Sequence, residues 1–475
     1  MSNILRIDNI HSRLVTEDIA LKKELWKRLR FREKNYYHSP AYRQKKWDGF
    51  RDFFTLKAGQ FLTGLLPEVK YALQTWGVNY QIVDIREPVN FLIDHVDETF
   101  LWDRSHAKPT ILRDYQIDLT NQAIKNKRGV VEARTGVGKT NILISLIKAL
   151  PPKTPTMVLV DQKELVYQNY EEICKYMDSN HVGMYFSDKK QPNYITVALI
   201  NSVPHLKELY PKIQALFVDE IHAMMSKRCI DFYKQCPNST VRIGFSATPF
   251  KDDGKDPVQK FNVKGHIGGI LKTKCGDNGK LTLDLLQNRK ILSIAHCTFF
   301  EINEPQRPYD IYQDAFTYGI AQNEYLNQNV AKLVKNLKGR TLIVVDRIEH
   351  GERLLNLIPD AFWLHGTKSK DYRKTTVNEL KFNKGNFVAV AIDKIVNKGL
   401  NVFIHNLINC AGGKAAHNVL QRVGRGLRPS DDKQDLLYYD FLFKNNPYLE
   451  SHSEQRIKII ESEGHKVEVK EKFDI

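Results

Sequence analysis

Short apolar runs recur along the chain at 129–132, 156–160, 195–198, 215–218 and 241–245, with longer amphipathic stretches between them. Strands of a parallel sheet read this way, because helices cover both of their faces and leave no polar side. From 251 to about 290 the rhythm breaks into Lys, Asp and Gly, which predicts a connector or inserted hairpin. It resumes at 341–345, 362–364, 387–392 and 407–410, with an amphipathic stretch at 328–336. The pattern predicts an α/β protein with two tandem parallel-sheet lobes, 109–250 and 291–445. Residues 1–108 lack that rhythm, and their alternating run at 80–85 predicts a strand in a small α+β domain. Residues 446–475 are charged and predict a peripheral helix or a tail.

Composition adds a partner class. At 475 residues the chain is long enough for roughly three domains. Its 71 Lys and Arg against 55 Asp and Glu give a net charge of +16, which either serves solubility or meets a polyanion. Position favours the polyanion. Between Lys22 and Arg51 the chain places Arg28, Arg30, Arg32, Lys34, Arg43, Lys45 and Lys46 among Trp26, Phe31, Tyr36, Tyr37, Tyr42 and Trp47, a mixture suited to phosphates and bases. Lys45, Lys46 and Trp47 are the candidate nucleic-acid residues there, although the Trp-Asp-Gly at 47–49 fits a core Trp beside a tight hairpin equally well. The six cysteines form no CxxC pair and have no His at ligand spacing, so neither a zinc site nor a disulfide framework is expected. No long apolar run marks the N-terminus, and the expected location is the cytoplasm, that of the host if the gene is a phage's.

Three constellations carry chemistry. The strand at 129–132 runs into Ala133-Arg134-Thr135-Gly136-Val137-Gly138-Lys139-Thr140, followed by a helix pattern. Small residues let backbone amides curl around phosphates, Lys139 reaches the outer phosphates, and Thr140 can ligate Mg²⁺. Some eighty residues on, the strand at 215–218 ends in Asp219-Glu220-Ile221-His222. Asp219 is placed to hold Mg²⁺ and Glu220 to orient or deprotonate a water, whereas an acidic pair alone would serve as well as a helix cap. In the second lobe, Gln421-Arg422-Val423-Gly424-Arg425-Gly426-Leu427-Arg428 puts Arg425 and Arg428 on one side of a helical turn, where guanidinium groups can stabilise phosphoryl charge.

In this order, the segment at 133–140, the Asp219 tetrapeptide, Ser246-Ala247-Thr248 and the segment at 421–428 resemble motifs I, II, III and VI of the superfamily 2 helicases. The resemblance covers about 109–445 and implies two RecA-like lobes with ATP and Mg²⁺ between them. It implies that Arg113, Tyr115 and Gln116 contact adenine, that Thr135, Gly136, Val137, Gly138, Lys139 and Thr140 hold the phosphates, with Thr140 and Asp219 on the metal, and that Arg425 and Arg428 act as fingers beside Gln421. His222 and the segment at 246–248 would couple hydrolysis to lobe movement. Asn201, Ser202, His365 and the stretch at 158–162 would track the nucleic-acid backbone. Motif V departs from the family pattern, with Asp393 where Thr is usual and Asn401 where Asp is usual, while Gly399 remains.

Pro40-Ala41-Tyr42-Arg43-Gln44-Lys45-Lys46-Trp47-Asp48-Gly49-Phe50, with Gly64-Leu65-Leu66-Pro67, is similar to the front domain of UvsW-type phage helicases. This implies a DNA helicase or translocase that unwinds or branch-migrates branched DNA in recombination, repair or replication. An RNA helicase and the translocase subunit of a restriction system remain open as alternatives. No separate acidic-plus-Lys nuclease constellation accompanies the motor motifs. Since loop and finger residues share one chain, a monomer is expected to complete its own site.

Overall fold

The computed structural model describes residues 3–87, 89–134, 136–250, 256–304, 309, 311–366, 375–380, 385–397, 402–413, 423 and 435–473. The chain forms two compact units, 1–134 with 138–281, and 135–137 with 282–475.

The first unit holds two sheets. Its front sheet has four strands in the order Gln60–Leu62, His11–Val15, Asn3–Ile7 and Tyr80–Asp84. Leu5, Leu14, Leu25, Phe54, Phe61, Val69 and Leu73 fill the core beneath it. The second sheet has seven strands, in the order Lys189–Gln191, Val182–Phe186, Ile195–Leu199, Thr156–Val160, Ala215–Val218, Val241–Ser246 and Arg128–Glu132. All neighbours run parallel except the edge strand Lys189–Gln191.

Between 251 and 290, where a connector or hairpin was expected, lies a helix, Pro257–His266, that belongs to both cores. Val258 packs into the front core, while Val263 enters the core of the seven-stranded sheet. The contact is backbone-close: a Cβ on Gly64 would run into the Lys264 carbonyl, and one on Gly265 would come within 2.6 Å of the Leu62 side chain. Lys264 pairs with Glu68, and half-buried Arg128 donates to the Asn9 carbonyl. The front sheet is thus riveted to the larger sheet by helix packing and paired cations. A small turn follows, closed by an isolated antiparallel bridge between Asp277 and Lys280.

The second unit has a seven-stranded parallel sheet in the order Phe362–Leu364, Phe387–Ile392, Arg340–Val345, Asn406–Asn409, Asp435–Phe443, Ile294–Ile302 and Val467–Lys470. Every strand expected from an apolar run is present, and both lobes have the parallel sheet that the alternation required. The 446–475 segment contains the helix Pro447–Ser462 and the edge strand Val467–Lys470. Among the described residues no helix is long and apolar enough to cross a membrane.

Candidate nucleotide site

Sheet order explains why residues eighty positions apart meet. The strands Arg128–Glu132, Val241–Ser246 and Ala215–Val218 are neighbours and parallel, so their C-terminal ends lie side by side, where an open α/β sheet presents its ligand crevice. Each end delivers one segment: 133–140, 246–248 and 219–222. Because Val218 pairs with Gly244, the residues two further along, Glu220 and Ser246, come together.

Gly136 and Gly138 take φ values of 91° and 84°, the left-handed region that lets consecutive amides turn inward without a Cβ penalty. Lys139 opens the helix Lys139–Ala149, so the loop feeds the positive end of that helix. Gln116 closes the other side. Its Oε1 accepts from the Arg113 amide at 2.9 Å and its Nε2 donates to the Gly138 carbonyl at 3.3 Å, and a Cβ on Gly138 would collide with that amide group. Tyr115 is fully buried, and its hydroxyl accepts from Arg113 Nη1 at 3.1 Å. The expected adenine residues therefore form one joined unit: Arg113 lies on the surface, with Tyr115 and Gln116 beneath it.

The Lys139 ammonium lies 3.3 Å from Glu220 Oε1, each side chain only 16% exposed. Glu220 sits at φ 47°, a left-handed conformation costing of the order of 1 kcal/mol for a residue with a Cβ, which turns its carboxylate toward the loop. Its Oε2 accepts from Ser246 Oγ at 3.4 Å and lies 3.3 Å from His222 Nδ1, which is 2.9 Å from the same Ser246 hydroxyl. Glu220, His222 and Ser246 thus form one polar triangle that links the 219–222 segment to the 246–248 segment. Burial pushes the Asp219 carboxyl up to about 6, against the pull of the Lys139 ammonium.

This donor set fits a nucleoside triphosphate with a hard divalent ion: an ammonium, the loop amides, the Thr140 hydroxyl and the half-buried Asp219 carboxyl. Among the described residues no cluster of three or more His, Cys, Asp or Glu could cage a metal alone. Mg²⁺ needs no such cage, since it is ordinarily held by one or two protein oxygens together with substrate phosphates. Thr135, Gln421, Arg425 and Arg428 lie outside the described residues.

The expected nucleic-acid residues divide by exposure. Lys45, Lys46 and Asn201 are on the surface, and Asn201 Oδ1 accepts from Arg228 Nη1 at 2.9 Å. Trp47 is half-buried and donates its indole N–H to the Phe50 carbonyl at 2.7 Å. Ser202 and His365 are buried, with the His365 ring stacked on Trp363 at 4.8 Å, so this conformation does not present them to a strand. Sequence reasoning missed the Gln116 bond to Gly138 and the Lys139–Glu220 pair, which depend on how the strand ends are arranged in three dimensions.

Fold and site define a phosphate-loop protein with two parallel sheets. A family model described as Type III restriction enzyme, res subunit, matches residues 110–251, and one described as Helicase conserved C-terminal domain matches 322–430. The structure of T4 UvsW aligns over 99% of this chain and 100% of that one, at 18% identity and a TM-score of 0.49. The ATP-dependent Type ISP restriction-modification enzyme LlaBIII bound to DNA shares the fold, with a TM-score of 0.56 at 14% identity over 77% of this chain and 32% of that one. The DNA 3'-5' translocase XPB2 of Sulfurisphaera tokodaii is 33% identical over 153 residues, 32% of this chain and 34% of that protein. The chain thus spans about a third of the length of this curated relative. Matched in this order, the two models and the translocase relative support a superfamily 2 helicase, an ATP-dependent enzyme.

Proposed function

We propose that the chain is a DNA translocase that hydrolyses ATP to unwind or migrate branched DNA in recombination, repair or replication. The observation that carries the reading is the Lys139–Glu220–His222–Ser246 constellation, in the same compact unit as the basic stretch at 22–51. Lys139 and the amides at 136–139 would hold the β and γ phosphates, while Thr140 and Asp219 would hold Mg²⁺, which neutralises phosphate charge when bound. Glu220 would give up its ion pair as Lys139 moves to phosphate, leaving its carboxylate to orient and deprotonate the attacking water. His222 and Ser246 would sense that release, since both contact the same Glu220 oxygen. Gln421, Arg425 and Arg428 are proposed to complete the site as its γ-phosphate contact and arginine fingers.

DNA is favoured as the track by the name of the translocase relative and by the basic, aromatic stretch at 22–51; branched DNA is favoured by the front-domain motif. Steady-state ATP hydrolysis tests this with no nucleic acid, single-stranded DNA, duplex DNA, a synthetic four-way junction and single-stranded RNA at one moderate salt concentration. Strongest stimulation by the junction is the expected result. Stimulation by RNA alone would move the protein to RNA remodelling, and stimulation by linear duplex alone would fit a restriction-type translocase.

A further inference from the structure

Residues 33–49 link the paired strands Arg30–Arg32 and Phe50–Asp52, and within them only Gly49 is buried. A segment without a core must be held some other way, and here rings and cations hold it. The Arg32 guanidinium lies 4.8 Å from the centroids of both Tyr36 and Phe50. Tyr42 meets Tyr36 edge-on at 4.7 Å, and Gly49, at φ 84°, lets the chain pass so close that a Cβ would lie 2.8 Å from the Tyr36 ring. Arg30 sits between Trp26 and Phe50, at 4.3 Å and 4.4 Å. Most of the aromatic residues that marked this stretch in the sequence are thus engaged internally, Trp47 included.

Tyr37 is different. It is 51% exposed, its ring lies 4.4 Å from that of His38, and its carbonyl accepts from Arg43 Nε at 3.1 Å. The ring is held by its neighbours and still faces water. Lys45 and Lys46 follow on the adjoining turn, both exposed, and a bond between the Tyr37 hydroxyl and Asn35 Oδ1 at 3.3 Å fixes the ring's outer edge. A prearranged exposed ring beside cations is what base stacking with phosphate contact requires. Base faces inside a duplex are already covered by their neighbours, and a blunt end presents only bases held in a pair; a branch point offers an unpaired base free to stack.

We propose that Tyr37, backed by His38 and Arg43, is a stacking platform for the first unpaired base at a DNA branch point, with Lys45 and Lys46 on the adjoining phosphates. The proposal rests on the DNA reading above. It separates the roles of the basic stretch: Trp47 and Arg30 build the support, and Tyr37 touches the ligand.

The test is an ATP-free titration of the full chain against forked DNA carrying 2-aminopurine at the first unpaired position, with a blunt duplex and a labelled single-stranded RNA alongside. Wild type and Tyr37→Phe are expected to quench the fork probe. Tyr37→Ala is expected to abolish the quench and weaken fork binding roughly ten-fold, the loss typical of one stacked base, with blunt-duplex affinity changed by less than about twofold. Quenching by Tyr37→Ala equal to wild type would overturn the proposal, as would equal loss of fork and blunt duplex, or a signal that appears only on RNA. Failure of the DNA reading registers separately, as wild-type ATP hydrolysis that forked DNA does not stimulate.

Discussion

The buried pair of Asp440 and Arg456 gives the sharpest stability prediction. Their side chains are 0% and 2% exposed. Arg456 Nε and Nη2 donate to the two Asp440 oxygens at 2.9 Å and 2.8 Å, a bidentate bond that fastens the helix Pro447–Ser462 to the strand Asp435–Phe443. Nη1 donates to the Gly413 carbonyl at 2.9 Å, at the start of the stretch leading to Gln421. Arg456→Met leaves Asp440 charged and buried with three other donors: Asn409 Nδ2 at 2.8 Å, Tyr438 Oη at 2.7 Å and its neighbour's amide, on Phe441, at 2.7 Å. Breaking one side of such a pair costs about 3–5 kcal/mol, and the surviving donors set the expectation near 3. For a unit of this size that lowers the melting temperature by about 6–12 °C. Scanning calorimetry of the full chain should show the loss in one transition, and Asp440→Asn added to Arg456→Met should recover part of it. A shift under about 2 °C, or a double variant no more stable than the single, would refute the claim that an unpaired buried charge is the source of the cost.

Glu220→Gln should retain ATP, measured with a fluorescent analogue, while slowing turnover by roughly 10²-fold or more; an active variant would remove the water-activating role. Gln116→Ala loses both its bond to the Arg113 amide and its grip on Gly138, and should raise the KM for ATP roughly five- to thirty-fold with little change in duplex binding. Gly64→Ala forces a methyl group onto the Lys264 carbonyl and should cost about 1–3 kcal/mol or more, seen as faster proteolysis near the front sheet. Burial lowers the His350 imidazole from 6.5 to about 3, so it is neutral in the fold, and the stability it contributes above pH 6.5 is lost as pH falls toward 3. At pH 4.5 that loss is about 2–3 kcal/mol, and urea midpoints of His350→Gln should fall less steeply between pH 7 and 4.5 than those of wild type.

What the sequence revealed depended on how evenly each segment is buried. The strands Thr156–Val160 and Ala215–Val218 are buried at every position, so each reads as an unbroken apolar run. Ile294–Ile302 alternates exposed and buried positions in its first half and places His296 and Glu301 among its apolar residues, so it does not read as an apolar run. Val182–Phe186 is fully buried, but Gly183 interrupts its apolar run; Gly is needed there because the chain at 191–193 crosses directly above it. The helix Pro257–His266 carries two lysines and a histidine, which hid its double role. Only the three-dimensional structure shows that Lys264 is answered by Glu68 and that His266 is buried.

The same reasoning applies to function. The phosphate loop and the acidic pair were legible because their chemistry is local: glycines for the turn, a lysine at a helix start, carboxylates at a strand end. Trp47 and Tyr37 are not distinguishable this way, since both are aromatic residues in one basic stretch. Which ring faces water is decided by the pairing of Arg30–Arg32 with Phe50–Asp52, which brings the Phe50 carbonyl to the Trp47 indole and leaves Tyr37 outside. His365 differs again: a residue expected to track nucleic acid is covered, its ring stacked against Trp363 of the strand that ends just before it. Motif position therefore nominates a segment for nucleic-acid contact, and packing decides which of its side chains faces water.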